Sequence, residues 1–304
     1  VSNQEMRARL FYGRAGRFGV QVDGTSEIIH VMIKGKRLKG VDEYNPLAPG
    51  DWVELDSDQL IIKRHHRDNA LQRFNWKQNK PQTFCANIDM VFCVVAAKSP
   101  EFHVRFLDRL LIASELGGVT PIIVMNKSDE GIEHLAEIIP LYQSLGYEFV
   151  LVSAIQSQGI EHLRTISQGK IVGLWGASGV GKSTLLNALE PAIQQETGEV
   201  NRKWNRGNHT TNFATFLPKS GGGFWVDTPG MRDFSPYLLH GEDLVQAFPE
   251  MREMAHQCPF HNCMHLDEQE CAVKNAVEQG SIAMTRYQSY QKVLEESKSY
   301  QKKW

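Results

Sequence analysis

Two rhythms of apolar and polar positions divide the chain. Up to about residue 80, short apolar runs are broken by glycine, and 7–13, 17–23, 27–33, 51–55 and 59–64 predict five strands, with Pro49-Gly50 turning into the fourth. Five short strands on this scale predict a small barrel of the OB type; an SH3-like barrel would give a similar pattern. From about residue 88 the apolar runs become continuous. The runs 88–97, 120–125, 147–152, 171–175, 213–217 and 224–226 predict strands mostly too apolar to have a wet face. Between them Val104, Phe106, Leu107, Leu110, Leu111, Ser114 and Leu116, then Ile132, Leu135, Ile138, Ile139 and Tyr142, recur at helical spacing. That alternation predicts a multidomain α/β chain whose middle holds a mostly parallel sheet. After about residue 240 the text becomes polar and helical, ending in Ile282, Arg286, Tyr287, Tyr290 and Leu294 on one face of an amphipathic helix.

Composition narrows the class. With 304 residues, 41% hydrophobic and 22% charged, the chain suits two compact units and a small third, and a disordered, collagen-like or coiled-coil protein is excluded. No apolar run reaches the ~18 residues of a membrane span, and the N-terminus shows no signal-like core, so a cytoplasmic protein is expected. The net charge of −2 conceals an asymmetry: residues 1–80 carry 14 Lys+Arg against 10 Asp+Glu, the remainder 19 against 25. A polyanion contact is therefore expected at the N-terminal end, where Arg7, Arg9, Arg14, Arg17, Lys34, Lys36, Arg37 and Lys39 offer phosphate contacts and Phe11, Tyr12 and Phe18 offer stacking surfaces. A solvated basic barrel accounts for the same residues.

The chemistry concentrates after the strand 171–175. Gly176, Ala177, Ser178, Gly179, Val180, Gly181, Lys182, Ser183 and Thr184 form a P-loop between that strand and a helix. Its glycines let backbone N–H groups wrap phosphates, Lys182 supplies positive charge, and the Ser183 hydroxyl suits Mg²⁺. Asn126, Lys127, Ser128 and Asp129 end the strand 120–125. An aspartate there accepts two hydrogen bonds from guanine's imino and amino groups, which adenine does not offer in that arrangement, so the nucleotide read is GTP or GDP. Ser153 and Ala154 end the next strand, where a backbone N–H suits the guanine carbonyl. Asp227-Thr228-Pro229-Gly230 follows the strand 224–226; Asp227 suits a Mg²⁺ water and the Gly230 N–H the γ-phosphate, and Thr210 or Thr211 in the preceding polar segment suits Mg²⁺. Lys182, Asp227 and Gly230 are thus the expected catalytic groups.

Of five cysteines, Cys85 and Cys93 stand apart, while Cys258, Cys263 and Cys271 fall within fourteen residues. With His265 they give three thiolates and an imidazole, a ligand set for closed, tetrahedral structural Zn²⁺. His256 and His261 are nearby alternatives; Cys93 reads as a core residue.

The guanine elements precede the P-loop, the reverse of the order in Ras-type enzymes. A sheet tolerates such relocation of its termini because chain ends lie at the surface. With this permuted order, a barrel before it and Cys-x4-Cys-x-His-x5-Cys after it, the chain resembles, over essentially its whole length, the circularly permuted GTPases of the RsgA (YjeQ) type. The resemblance implies an OB-fold at 1–80, a permuted GTPase domain at 81–240 and a zinc-binding domain at 241–304. It implies a monomer that binds GTP with Mg²⁺, holds one Zn²⁺ on Cys258, Cys263, His265 and Cys271, and binds the small ribosomal subunit and its rRNA. Stimulated GTP hydrolysis during late subunit maturation follows from the same resemblance.

Ras-type enzymes place glutamine directly after the Asp-x-x-Gly element; here Met231 stands there, and its thioether cannot orient water. Slow intrinsic turnover accelerated by a partner is expected. In the family a histidine a few residues further on, after an aromatic, has been considered for this role. Leu238 occupies that place, leaving His240 or His209 to orient the water. A GTP-dependent ribosome-binding scaffold with little hydrolysis is the alternative reading.

Overall fold

A computed structural model describes residues 5–14, 16–35, 38, 40–193, 214–228, 234–238 and 240–301. Strands β1 (Met6–Arg14), β2 (Arg17–Val22), β3 (Ile28–Ile33), β4 (Trp52–Leu55) and β5 (Leu60–Arg64) close into a barrel in the order β1-β2-β3-β5-β4. The parallel β3–β5 pairing is the Greek-key crossover of an OB-type barrel. Alternation along the strands turns Ala8, Leu10, Val20, Val31, Val53, Leu55 and Ile61 into its interior. Phe11, next to a bulge in β1, points the other way and meets Phe216 and Phe224 of the neighbouring sheet at ring distances of 5.5 and 5.0 Å. Phe18 is buried in the barrel core. Neither phenylalanine is the exposed stacking surface expected from sequence, because period-two alternation hides both, one on each side of the barrel wall. Arg9 lies over the Trp52 and Phe216 rings and donates to Asn87 O (2.6 Å), and Lys34 pairs with Asp56 (2.7 Å). Lys36, Arg37 and Lys39 lie outside the described residues.

A hairpin of β6 (Ala70–Asn75) and β7 (Lys80–Ala86) leads into a six-stranded sheet. Its strands are β8 (Met90–Ala96), β9 (Thr120–Asn126), β10 (Glu148–Leu151), β11 (Ile171–Gly176), β12 (Thr215–Pro218) and β13 (Phe224–Asp227), in the order β10-β9-β8-β11-β13-β12. All pairs are parallel except β12–β13. The continuous apolar runs arise because both faces are covered. Val91, Cys93, Val95, Ile123 and Trp175 pack on one side against Leu107, Leu110 and Leu111 of helix α1 (Val104–Leu116). Phe92, Val94, Val124 and Leu174 pack on the other against α3 (Ile160–Ser167) and α4 (Lys182–Leu189). The single helical repeat read across 132–142 divides into a 3-10 turn, Glu133–Leu135, and α2 (Ile138–Ser144). Pro140 explains the break: it is tolerated only in a helix's first turn, so α2 begins just before it.

The C-terminal part is helical, with a 3-10 segment Gly241–Ala247, then α5 (Pro249–Ala255), α6 (Ala272–Glu278) and α7 (Met284–Gln301). Leu244, Phe248, Met251, Val273, Tyr290 and Leu294 form its core together with Ile112, so α1 is shared between the sheet and this unit. Arg286, in the apolar stripe of α7, is fully buried and bonded to Asp108 of α1 (2.5 Å) and Glu250 of α5 (2.7 Å). Among the described residues no helix is long and apolar enough to cross a membrane.

Candidate functional site

Parallel strands deliver their C-terminal ends to one edge of the sheet, the edge where open α/β sheets bind ligands. There β11 ends in the P-loop, β9 in Asn126, β10 runs into Ser153 and Ala154, and β13 ends in Asp227. A side chain at Gly176 would place its Cβ 2.1 Å from Val94 O, so only glycine lets β11 lie this close to β8 as it leaves the sheet. Gly181, at φ +91°, has Asn126 Nδ2 2.5 Å from where a Cβ would stand.

Asn126 joins the loop after β9 to the loops at 153–154 and 176–181. Buried, it donates from Nδ2 to Val180 O (2.9 Å) and accepts at Oδ1 from Ala154 N–H (3.2 Å). The Ser153 N–H donates to Gln158 O (3.2 Å), so both amides of this loop already brace the site. Lys127 adopts φ 60° and its ammonium donates to Ser99 O, stretching its stem along the loop edge; Asp129 lies in the 3-10 turn Ser128–Glu130. Residues 98–100, at the end of β8, form a wall that sequence reading missed. Pro100 comes within 3.9 Å of where a Gly179 side chain would begin. The available signal was positional: a loop leaving a central strand at the ligand edge.

Lys182 starts α4, is buried, and donates to Gly176 O (2.9 Å) and Ala177 O (2.8 Å). Burial brings its ammonium down to about 8, with Asp227 opposing. Burial likewise raises the Asp227 carboxyl, with Lys182 opposing. Ser183 and Thr184 are exposed, and Thr228, beside Asp227, is anchored through its hydroxyl to Leu174 O (2.5 Å). The electrostatics set a pH dependence. In the empty pocket Lys182 loses its proton as pH rises through about 8, whereas bound phosphates keep it charged to higher pH. GDP affinity is thus expected to be level below pH 8 and to weaken above it, by up to about tenfold per pH unit. A fluorescent-GDP titration across that range checks this; affinity unchanged or rising above it contradicts the assignment.

His240 caps the 3-10 segment Gly241–Ala247 and lines a cleft of about 720 Å³ with Asp42, Lys80 and Tyr237; no P-loop residue lines that cleft. Leu238 is buried in the C-terminal core. His209, Thr210, Thr211, Gly230 and Met231 lie outside the described residues.

Cys258, Cys263, His265 and Cys271 converge so that their donor atoms lie within 4.8 Å of one another. His265 Nδ1 is 3.3 Å from Cys271 Sγ and 3.6 Å from Cys258 Sγ. The loop is braced for the purpose: Glu268 accepts from Met264 N–H (2.7 Å) and Leu266 N–H (2.8 Å), while Tyr287 and Tyr290 donate to the His265 and Met264 carbonyls. Three thiolate sulfurs and an imidazole nitrogen converging as a set of four fit a closed metal site. Burial pushes Cys263 up to about 12; a divalent cation favours the thiolates and reverses that push. His256 and His261 are exposed and outside the group. Cys85 and Cys93 are fully buried, and burial pushes each thiol up to about 12, which suits inert core residues.

Residues 64–236 match the sequence profile of a family described as RsgA GTPase. The chain is 37% identical over 276 residues to the small ribosomal subunit biogenesis GTPase RsgA of Flavobacterium psychrophilum, covering 86% of this chain and 85% of that one. To the protein of the same name from Bacteroides fragilis it is 35% identical over 301 residues, covering 96% and 97%. Among solved structures it is similar to YjeQ from Thermotoga maritima, with a TM-score of 0.72 and 32% identity over 96% of this chain and 98% of that one. It is also similar to YloQ, a circularly permuted GTPase, with a TM-score of 0.68 and 26% identity over 98% of this chain and 97% of that one.

Proposed function

The chain belongs to the RsgA GTPase family, and from that membership we propose that it binds the small ribosomal subunit, hydrolyses GTP to GDP and phosphate under that subunit's stimulation, and so assists late subunit maturation. The observation that carries the nucleotide half is Asn126, which ties the guanine loop to the P-loop carbonyl of Val180 and to Ala154. Guanine is selected by Asp129, with Lys127 along its ring; phosphates lie on the amides of residues 176–184 and on Lys182. Mg²⁺ would be held by Ser183, by Asp227 through water and by Thr210 or Thr211, with the Gly230 N–H serving the γ-phosphate, and when bound it would neutralise charge on the transferring phosphoryl group. The metal held by the Cys258, Cys263, His265 and Cys271 cluster is Zn²⁺, in a structural role.

The working units are a barrel at 1–80, a GTPase at 81–240 and a zinc unit at 241–304, with the β6–β7 hairpin crossing the first boundary. The barrel's basic residues, Lys34 among them, contact rRNA. The protein acts as a cytoplasmic monomer. Of the candidates for orienting the attacking water, Leu238 is in the core and His240 caps a turn in another cleft. A partner that completes the site explains this, and multiple-turnover phosphate release with and without purified small subunits tests it. Turnover is expected to rise by at least about a thousandfold with subunits, the scale on which trans-acting groups accelerate GTPases. Turnover unchanged by subunits removes the stimulated reading.

A further inference from the structure

His134 belongs to none of the sequence elements that read the nucleotide, yet it holds the wall that stands beside them. It lies in the 3-10 turn Glu133–Leu135, which buried Leu135 pins to the core, while its own side chain is exposed. Its Nε2 is 2.7 Å from Ala97 O. A carbonyl only accepts, so Nε2 carries the proton and donates. Ala97 follows the last residue of β8, and its own N–H donates to Asn126 O (2.9 Å) at the end of β9. Two residues on, Ser99 O accepts from the Lys127 ammonium. Pro100 then passes the P-loop, 3.9 Å from where a Gly179 side chain would begin.

Residues 97–100 thus form a strap between the guanine loop and the P-loop. The bond to Asn126 fixes Ala97 at its N–H but leaves rotation about its Cα–C bond free. Because a peptide unit is planar, the His134 bond to the Ala97 carbonyl sets the whole Ala97–Lys98 plane, and with it the path to Ser99. Lys127 stands at φ 60°, so its stem leaves the loop in an uncommon direction and takes its far anchor from the Ser99 carbonyl. We propose that His134 is a positioning residue for guanine nucleotides: by fixing the Ala97–Lys98 peptide it places the carbonyl that anchors Lys127, and so lays the lysine stem along the base. The inference rests on the reading of residues 126–129 as the guanine site. Phosphate binding is not routed through His134, since the strap meets Gly179 at van der Waals range.

The test uses the full chain with GDP and inorganic pyrophosphate as probes. Fluorescent-GDP titration, and competition by pyrophosphate, are run on wild type, His134→Ala, His134→Gln, Lys127→Met and the double variant H134A/K127M. His134 is exposed, so its truncation opens no cavity in the core. His134→Ala is expected to weaken GDP about fivefold, the scale of one hydrogen bond, while pyrophosphate affinity stays within about 1.5-fold. His134→Gln, whose amide donates to the same carbonyl, should regain about half of that loss on a logarithmic scale. In the Lys127→Met background, His134→Ala should cost less than about 1.5-fold, because its route to the base has been removed. A GDP Kd for His134→Ala within about 1.5-fold of wild type overturns the proposal, as does a glutamine variant as weak as the alanine one. Equal weakening of GDP and pyrophosphate overturns it too, since the whole pocket is then distorted, and a full cost in the Lys127→Met background places His134 outside the Lys127 route. A wild type that binds no GDP, or exchanges it freely for ATP, overturns the guanine site itself; the other outcomes all presuppose selective GDP binding by wild type and bear on His134 alone.

Discussion

Arg286→Ala is expected to lower the free energy of unfolding by about 3–5 kcal/mol, the usual consequence of stranding a buried charge partner. Arg286 has no exposed surface, and neither does Asp108, to which its Nη1 donates at 2.5 Å; Glu250 receives Nε at 2.7 Å. Burial opposes the guanidinium charge, and Asp108 and Glu250 more than reverse it, holding Arg286 well above its ordinary range. The Tyr142 hydroxyl also donates to Asp108 (2.6 Å), while Asp108 Oδ2 has no described partner. Asp108 therefore has little left to answer its charge once the arginine is gone. The stem and head of Arg286 also fill space over Phe248, 4.6 Å from its ring centre. Arg286→Met separates the two contributions, since it keeps most of the volume and none of the charge. If compensation of charge dominates, Met and Ala should be similarly unstable in urea unfolding, and adding Asp108→Leu and Glu250→Leu to Arg286→Met should recover most of the loss. A loss under about 1 kcal/mol for Arg286→Ala would mean that water reaches the carboxylates and the cluster is not a sealed one.

Asp129→Asn is expected to weaken GTP binding by roughly two to four orders of magnitude while creating affinity for xanthosine triphosphate. In the proposed site the carboxylate would accept from both guanine donors, and each hydrogen bond to a charged group contributes about 1.5–3 kcal/mol. A carboxamide offers one acceptor and one donor. The guanine amino group then faces an N–H, two donors pointing at each other, whereas xanthine presents a carbonyl at that position and restores complementarity. The exchange should leave the phosphate side intact, because Asn126, not Asp129, makes the bonds to Val180 and Ala154. Competition against labelled GTP by unlabelled GTP, xanthosine triphosphate and ATP reads the switch directly. Equal loss for guanine and xanthine nucleotides would show that the substitution had disturbed the loop rather than the recognition.

The parts legible in sequence were those where chemistry or periodicity leaves no latitude. Phosphate wrapping needs glycines at fixed spacing, and Gly176 and Gly181 are where a Cβ meets Val94 O and Asn126 Nδ2. Continuous apolar runs marked a sheet covered on both faces. The β6–β7 hairpin escaped notice because its buried apolar residues, Leu71, Phe74, Phe84, Cys85 and Ala86, do not alternate and are joined by enclosed polar ones: buried Gln82 accepts from Arg73 and Asn75, and Thr83 joins Asn45, Glu43 and Arg67. No apolar alternation announces such a strand. Arg286 sat in the right stripe, but its periodicity could not reveal that a charge was being buried against partners far along the chain. Phe11 and Phe18 were misread for the related reason that composition near basic residues does not say which side of a barrel wall a ring faces.

Phe11 also decides how the molecule can be taken apart. A fragment ending after the last barrel strand would turn that ring, fitted against Phe216 and Phe224, into a greasy spot on its surface, and the remaining fragment would carry the matching hollow. Neither piece would handle in solution as it does within the whole. Anyone wishing to purify the barrel by itself should first replace Phe11 with a polar residue, a change that leaves the inward-facing Leu10 and Val20 untouched.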